Sequence, residues 1–478
     1  MKDKIKKIVS FSIGTWYSFA LAFIISPVTT FLLAPEEFGK FSLFSIVQLF
    51  LIFILGGGQD QAFIRFYYKN EYADKIGLLK NILITPLIIF VLVSGIVFLF
   101  NNHLNYFITG NSEFNLILAC QLLASTLLAL LVNYGLLFLR MQQKAGSYST
   151  INILTSTVNY LTFFLYLFFI KKDFNAFIFG GIISNLIPFF YFIIYVIPIK
   201  QFYSSSINKS DLKQFFKYGV PFVPVFVIDY FFNNSDKYFL RYFGGVELLG
   251  VYSFALRIST AFSIIQTGFH MFWVPYSQEK YNSDSSDKNF YHQIFSLLTM
   301  LLSVFIIGVV TCKDIITFLI DPKYFSIIHI FPFLMLVPFF HTLSEITFVG
   351  INFKFKTTYH LYINVIALVI NLSLGFFIIG KWGIAGAAIN SAVTHFCFFI
   401  LRSYFGYKFY PLSIKWKEFG LSLLLLVVLI ISDFIFQFEF YVLILFGIGT
   451  AAGIAIINLK DIKIFFNVSQ NAKKLEAN

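Results

Sequence analysis

The chain has 478 residues, of which 58% are hydrophobic, 21% aromatic and 12% charged, with a net charge of +12. Charged residues are about half as frequent as in soluble domains, and the mean hydropathy is +0.80, which leaves no room for a soluble catalytic domain. Some fourteen apolar stretches of about 20 residues, each the length of one helical bilayer crossing, fill the chain. They predict an all-α polytopic membrane protein, because backbone polar groups in lipid need internal partners.

In chain order, the basic start MKDKIKK leads into an apolar run too long for a secretory signal and without a small-residue cleavage site, so it reads as a retained first span. The predicted spans are 8–33, 41–57, 82–100, 114–139, 148–170, 176–198, 216–240, 250–275, 290–312, 327–351, 359–380, 384–405, 418–436 and 440–459. With the N-terminus in the cytoplasm, about 26 of the 35 basic residues fall in inside segments, Arg140 and Arg402 among them. About 8 fall outside, including Lys40, Lys171 and Lys313, and Arg257 is left within a span. The split follows the positive-inside rule and predicts both termini in the cytoplasm. The net charge is thus topogenic, with some attraction to anionic lipid headgroups, and requires no nucleic acid. Cys120, Cys312 and Cys397 lie far apart in or beside apolar runs and read as small apolar side chains rather than redox or metal groups.

The halves of the chain echo each other. A shift of 211 carries Gly39 onto Gly250, Phe41 onto Tyr252 and Ser42 onto Ser253, and a shift of 212 carries Lys144 onto Lys356 and Asn152 onto Asn364. Six spans separate the copies, so the repeats are parallel, an arrangement of transporters with the substrate path between halves. The predicted organisation is a six-helix bundle over 1–205, a second over 206–412, and an appended helix pair with a cytoplasmic tail over 413–478.

GQDQAFIRFYY (58–68), LRMQQKAGSYSTINIL (139–154), GVPFVPVFVIDYFFNNSDKYFLRYFGGVELLGVYSFALRIS (219–259) and KWGIAGAAINSAV (381–393) together resemble the polysaccharide-export branch of the multidrug/oligosaccharidyl-lipid/polysaccharide exporter superfamily, in particular O-antigen and capsule repeat-unit flippases. The resemblance covers the first twelve spans. It implies two six-helix bundles facing each other in a V, alternating access, a bacterial inner-membrane location, and an undecaprenyl-diphosphate-linked oligosaccharide as substrate. Membrane lipids and a polysaccharide polymerase or chain-length regulator complex are the further partners it implies.

Ionisable side chains inside a membrane are costly and usually face a cavity or a partner. Arg257 in span 8 is the first choice for contact with a diphosphate, which a guanidinium binds with a bidentate fork; a salt bridge to Asp236 or Asp229 is the structural alternative. Arg65 could meet the diphosphate at the cytoplasmic end of span 2, or snorkel and pair with Asp60. Asn233, Asn234 and Lys237 in span 7 and Gln266 in span 8 join Ser10, Ser12, Thr15, Ser18, Ser259 and Ser263 as a wet path for sugar hydroxyls, or as helix–helix contacts. Asp229, Asp60, Glu345, Asp236 and His341 are candidates for ion coupling, with His341 and Glu345 one turn apart as a relay or a hydrogen-bonded pair. No cofactor is expected, and the driving force would be a proton or sodium gradient. Pro27, Pro221, Pro224, Pro332 and Pro338 can bend their helices, and Gly449 and Gly453 form a GxxxG in the last span.

No nucleotide-binding loop, nucleophile elbow or metal cluster is present, so ATP-driven and covalent chemistry are not expected. The rivals are an ion-coupled multidrug antiporter of the same superfamily, a membrane polysaccharide polymerase or ligase, and an assembly factor without transport. The outer segment 101–113 carries one His, one Glu and no Arg, which argues against a polymerase.

Overall fold

The structure, a computed structural model, describes the backbone of residues 2–69, 72, 74–356 and 358–476. The side chains of 2–9, 199, 261, 263–265 and 459–476 lie outside the described ones; Ser263 and the terminal lysines from Lys2 to Lys7 and Lys460 to Lys474 are among them.

All regular structure among the described residues is helical. The helices are α1 (Lys2–Leu32), α2 (Pro35–Gly56), α3 (Gln59–Phe66), α4 (Lys75–Leu99), α5 (Asn101–Thr109), α6 (Leu116–Met141), α7 (Ala145–Phe169), α8 (Asn175–Tyr191), α9 (Ile199–Ser204) and α10 (Lys209–Gly219). They continue with α11 (Phe222–Ala261), α12 (Ser263–Ser283), α13 (Lys288–Thr311), α14 (Ile327–Thr347), α15 (Val349–Phe353), α16 (Thr358–Phe409), α17 (Trp416–Phe436) and α18 (Phe440–Glu476). Among the described residues, twelve helical stretches are long and apolar enough to cross a membrane. Two of these, 209–260 and 358–409, are 52 residues long, about 78 Å at ~1.5 Å per residue and more than twice a bilayer core. Each contains one glycine outside helical geometry, Gly245 (φ 79°) in α11 and Gly383 (φ 53°) in α16, and the first also turns between α10 and α11 at 220–221. Glycine takes this left-handed conformation without a Cβ clash, so each stretch is two spans and the count of about fourteen holds.

Several segments expected as loops are helix. Lys40 belongs to α2, where it pairs with Glu36 (2.8 Å) and Glu37 (2.7 Å), because Pro35 and the two glutamates make a good first helical turn. Residues 101–109 form α5 rather than an open loop, and Asn101 and Asn105 hold the carbonyls of Asn115 and Glu113.

By packing, the chain divides into two compact units, 1–253 and 254–478. The division falls inside α11, later than the repeat-based boundary at 205/206. Within the first unit, α2 meets the part of α11 that follows Gly245. A Cβ on Gly39 would strike the Val246 carbonyl, and one on Gly250 would strike that of Pro35; Ser253 Oγ donates to Ser42 Oγ at 2.8 Å. Gly39 and Gly250, Pro35 and Val246, and Ser42 and Ser253 are all 211 apart, so each member of the contact touches its own counterpart, as a local two-fold relation requires. The α1–α2 joint at Leu33–Ala34 and the break at Gly245 share the same offset.

Within the second unit, α13 and α17 pack against α18. Ser296 Oγ donates to Asn458 Oδ1 (2.7 Å), and Asn458 Nδ2 donates to Ser422 Oγ (3.1 Å). Lys313, expected in an outer loop, is buried and pairs with Asp433 of α17 at 2.5 Å. Of the GxxxG pair, Gly453 faces Leu425 of α17 and Gly449 has open space beside it. The three cysteines are free, and no metal-binding group of His, Cys, Asp and Glu occurs among the described residues.

Candidate functional site

In the first unit, α2 ends at Gly56 and turns through Gly57 (φ 53°) and Gly58 (φ 71°) into the short helix α3. Gly58 lies against the Gly219 backbone at the end of α10. Ala62, Phe63 and Phe66 bury the other face of α3, where Phe63 meets Phe138 (6.2 Å between ring centres) and Phe66 meets Phe215 (5.1 Å). That packing aims Asp60 and Gln61 into a cavity of about 340 Å³. Asn133, Tyr134 and Arg140 of α6 complete its polar wall, and Phe53, Tyr148 and Phe226 its aromatic wall. Gln61 Nε2 donates to Asp60 Oδ2 at 2.7 Å. The Tyr134 ring is 4% exposed, and its buried hydroxyl has no hydrogen-bond partner. Arg65 does not enter this cavity. It is exposed at the far end of α3, and it makes no ion pair with Asp60 among the described residues, because a five-residue separation puts them on different helix faces.

The loop that follows α9 is pinned to α4. Asp74 caps α4 by accepting from the backbone N–H groups of Ile76 (3.1 Å) and Gly77 (3.0 Å), and it also accepts from Ser205 (2.7 Å) and Gln201 (3.0 Å). Burial pushes the Asp74 carboxyl up, but these hydrogen bonds outweigh it and hold the group below its usual range.

The polar residues of α11 divide. Asp229 and Asn233 are exposed, and Asn233 Nδ2 donates to the Asp229 carbonyl at 2.8 Å. Asn234 and Asp236 are buried. Asn234 donates to the Tyr230 carbonyl (3.0 Å) and accepts from Lys237 Nζ (3.2 Å), while Asp236 accepts from the Tyr252 hydroxyl (3.1 Å). Arg257 is half-buried in the second unit.

The second unit contains a denser cluster between α12, α14 and α16. Glu345 is 3% exposed at its side chain and accepts from both sides: Arg402 Nη1 lies 2.9 Å from Oε1 and His270 Nδ1 2.8 Å from Oε2. Arg402 also donates to Ser344 Oγ (2.6 Å) and lies over the Phe348 ring (3.8 Å). Trp273 Nε1 donates to the Glu345 carbonyl at 2.9 Å. The expected His341–Glu345 hydrogen bond is not made, since His341 Nδ1 stands 3.8 Å from the carboxylate and pairs with Gln266 Nε2 at 2.7 Å. A guanidinium is the stronger and better-shaped partner for a buried carboxylate, so Arg402 displaces the histidine. Gln266 is thereby part of a helix-bridging pair. Arg402, expected in a loop segment, is buried within α16. The signal for this was the unbroken apolar run on both sides of it, FCFFILRSYF.

Comparison with known proteins follows the same lines. Residues 5–279 match the family described as polysaccharide biosynthesis protein. No curated protein matches. Among solved structures, the chain is similar to the lipid II flippase MurJ in an inward closed conformation, with a TM-score of 0.69 and 17% identity, covering 96% of this chain and 99% of that one. It is also similar to a multidrug resistance MATE family transporter of the MOP superfamily. The inward-facing form gives a TM-score of 0.57 at 16% identity and covers 84% of this chain and 97% of that one. The outward-facing form gives 0.52 at 17% identity and covers 84% and 93%. At these identities the structural likeness speaks to the fold, and the family match extends over more than half of the sequence. The chain belongs to the polysaccharide biosynthesis protein family.

Proposed function

We propose that the protein is a flippase that moves undecaprenyl-diphosphate-linked oligosaccharide repeat units from the cytoplasmic to the outer leaflet by alternating access, in O-antigen or capsule biosynthesis. The observation that carries this reading is the family match over residues 5–279. The coverage of the two kinds of structural neighbour favours it over the multidrug antiporter. The MATE structures cover 84% of this chain and the lipid II flippase 96%, and the difference is about the size of the α17–α18 pair. In this reading the moving bodies are the repeats 1–205 and 206–412, both termini are cytoplasmic, and the membrane is the bacterial inner membrane.

Arg257 contacts the diphosphate, and exposed Arg65 meets it at the cytoplasmic face. Asn233 offers its exposed amide to the sugars, with Lys237 and Asn234 behind it. Asp229 and Asp60 are the better coupling carboxylates, because Asp236 and Glu345 already hold close partners. Arg257→Ala is expected to abolish transport while folded protein stays at its normal level, and Arg257→Lys to keep part of the activity; wild-type export by the Ala variant overturns the diphosphate contact. Transport is expected to stop when proton and sodium gradients are both collapsed, and unchanged rates reject ion coupling.

A further inference from the structure

We infer that the cavity bounded by Asp60, Asn133, Tyr134 and Arg140 in the first unit is a subsite for one sugar ring of the substrate. The inference deepens the flippase reading and rests on it for the identity of the substrate. At about 340 Å³ the cavity is at the small end of ligand pockets, which run from ~300 to 1,000 Å³. It admits a single ring and not a whole oligosaccharide.

The chemistry of the wall selects the ligand. Asp60 only accepts hydrogen bonds, Arg140 only donates them, and Gln61, Asn133 and Tyr134 do both. A lipophilic cation would meet Asp60 but also Arg140, and an anion would meet the reverse. A bare metal ion would need clustered ligands, and none are gathered among the described residues. A neutral polyhydroxylated ring offers donors and acceptors together, and its apolar face fits the rings of Phe53, Tyr148 and Phe226. The second, independent observation is the Tyr134 hydroxyl: it is buried without a partner, on a residue that lines this same cavity. Buried hydroxyls are nearly always bonded, and a sugar hydroxyl supplies the missing partner.

The test uses the full-length protein in lipid nanodiscs and saturation-transfer NMR with three free neutral probes: galactose, N-acetylglucosamine and rhamnose. At least one is expected to bind, with affinity reduced about 10-fold, or ~1.4 kcal/mol, in both Tyr134→Phe and Asp60→Asn. Thermal melting of each variant checks that it remains folded, and Tyr134→Phe keeps the ring in place. No binding by any probe, binding that survives both substitutions, or preferential binding of tetraphenylphosphonium overturns the subsite. The same variants are then scored for flipping in cells. Normal flipping of the native repeat unit by both variants removes the subsite and leaves the flippase standing. Absence of flipping by the wild-type protein removes the flippase reading, while the NMR result still decides whether the cavity holds sugar.

Discussion

The Glu345 cluster and the Asp60 cavity are two places where this apolar chain carries a carboxylate inward, and they are built in opposite ways. Glu345 is flanked by Arg402 and His270 within 3 Å on its two oxygens, with Ser344, Trp273 and two aromatic rings closing the shell. Asp60 has one neutral partner, Gln61, and looks into open space beside an unbonded hydroxyl. The first arrangement holds three helices together and gives each carboxylate oxygen a donor. The second leaves donors and acceptors open to the cavity. A carboxylate in a membrane span is therefore not by itself a transport residue: the bonding it still lacks distinguishes scaffold from site.

That contrast can be broken most strongly at Arg402. Arg402→Ala leaves Glu345 buried and uncompensated, a loss of roughly 3–5 kcal/mol. Melting in detergent should fall sharply, and the double change Glu345→Gln with Arg402→Gln should recover much of it; an Arg402→Ala protein that melts like wild type contradicts the scaffold role. A smaller loss is expected at the α2–α11 crossing. Gly39→Ala and Gly250→Ala each force a methyl into backbone, at about 1–3 kcal/mol, and the two-fold relation predicts similar losses for both, so strongly unequal values would count against it.

Asp74→Ala should cost ~1 kcal/mol through loss of the α4 cap. Its folded-state pKa is depressed, so the stabilisation is present above the ordinary Asp value near ~3.9 and is lost as the pH falls through the lower folded value. Hydrogen exchange at the start of α4 should accelerate only in that acid window, and an equal rise at neutral pH would show that the cap is not ionic. The smallest change in stability, under about 1 kcal/mol, is expected for Asp60→Asn, because little in the fold depends on that charge. A melting loss as large as that of Arg402→Ala would erase the distinction between the two sites.

Much of this architecture is legible in the sequence because the bilayer dictates it. Each span must be apolar over about 20 residues, so hydropathy alone counts the crossings, and the glycine and serine of one repeat reappear in the other at a fixed offset. What the sequence conceals is pairing. Arg402 and Lys313 read as loop charges because the positive-inside rule assigns every lysine and arginine near a span end to water, yet each is buried against a carboxylate 57 or 120 residues away. Asp433, within VVLIISDFIF, gave the only local hint of the second pair. The i, i+4 spacing of His341 and Glu345 made them look like a couple, but a helix neighbour yields to a guanidinium arriving from another helix. The unbonded Tyr134 hydroxyl has no sequence signature, since only the packing of α3 and α6 shows that nothing reaches it.

The central claim, that the chain flips a lipid-linked oligosaccharide, is tested most directly in host cells depleted of the protein. Undecaprenyl-diphosphate repeat units are quantified by mass spectrometry and assigned to a leaflet by their accessibility to an impermeant reagent. The account predicts accumulation in the cytoplasmic leaflet together with loss of the surface polymer. Accumulation on the outer leaflet, as for a missing polymerase or ligase, or no accumulation at all, as for a small-molecule antiporter, would contradict it.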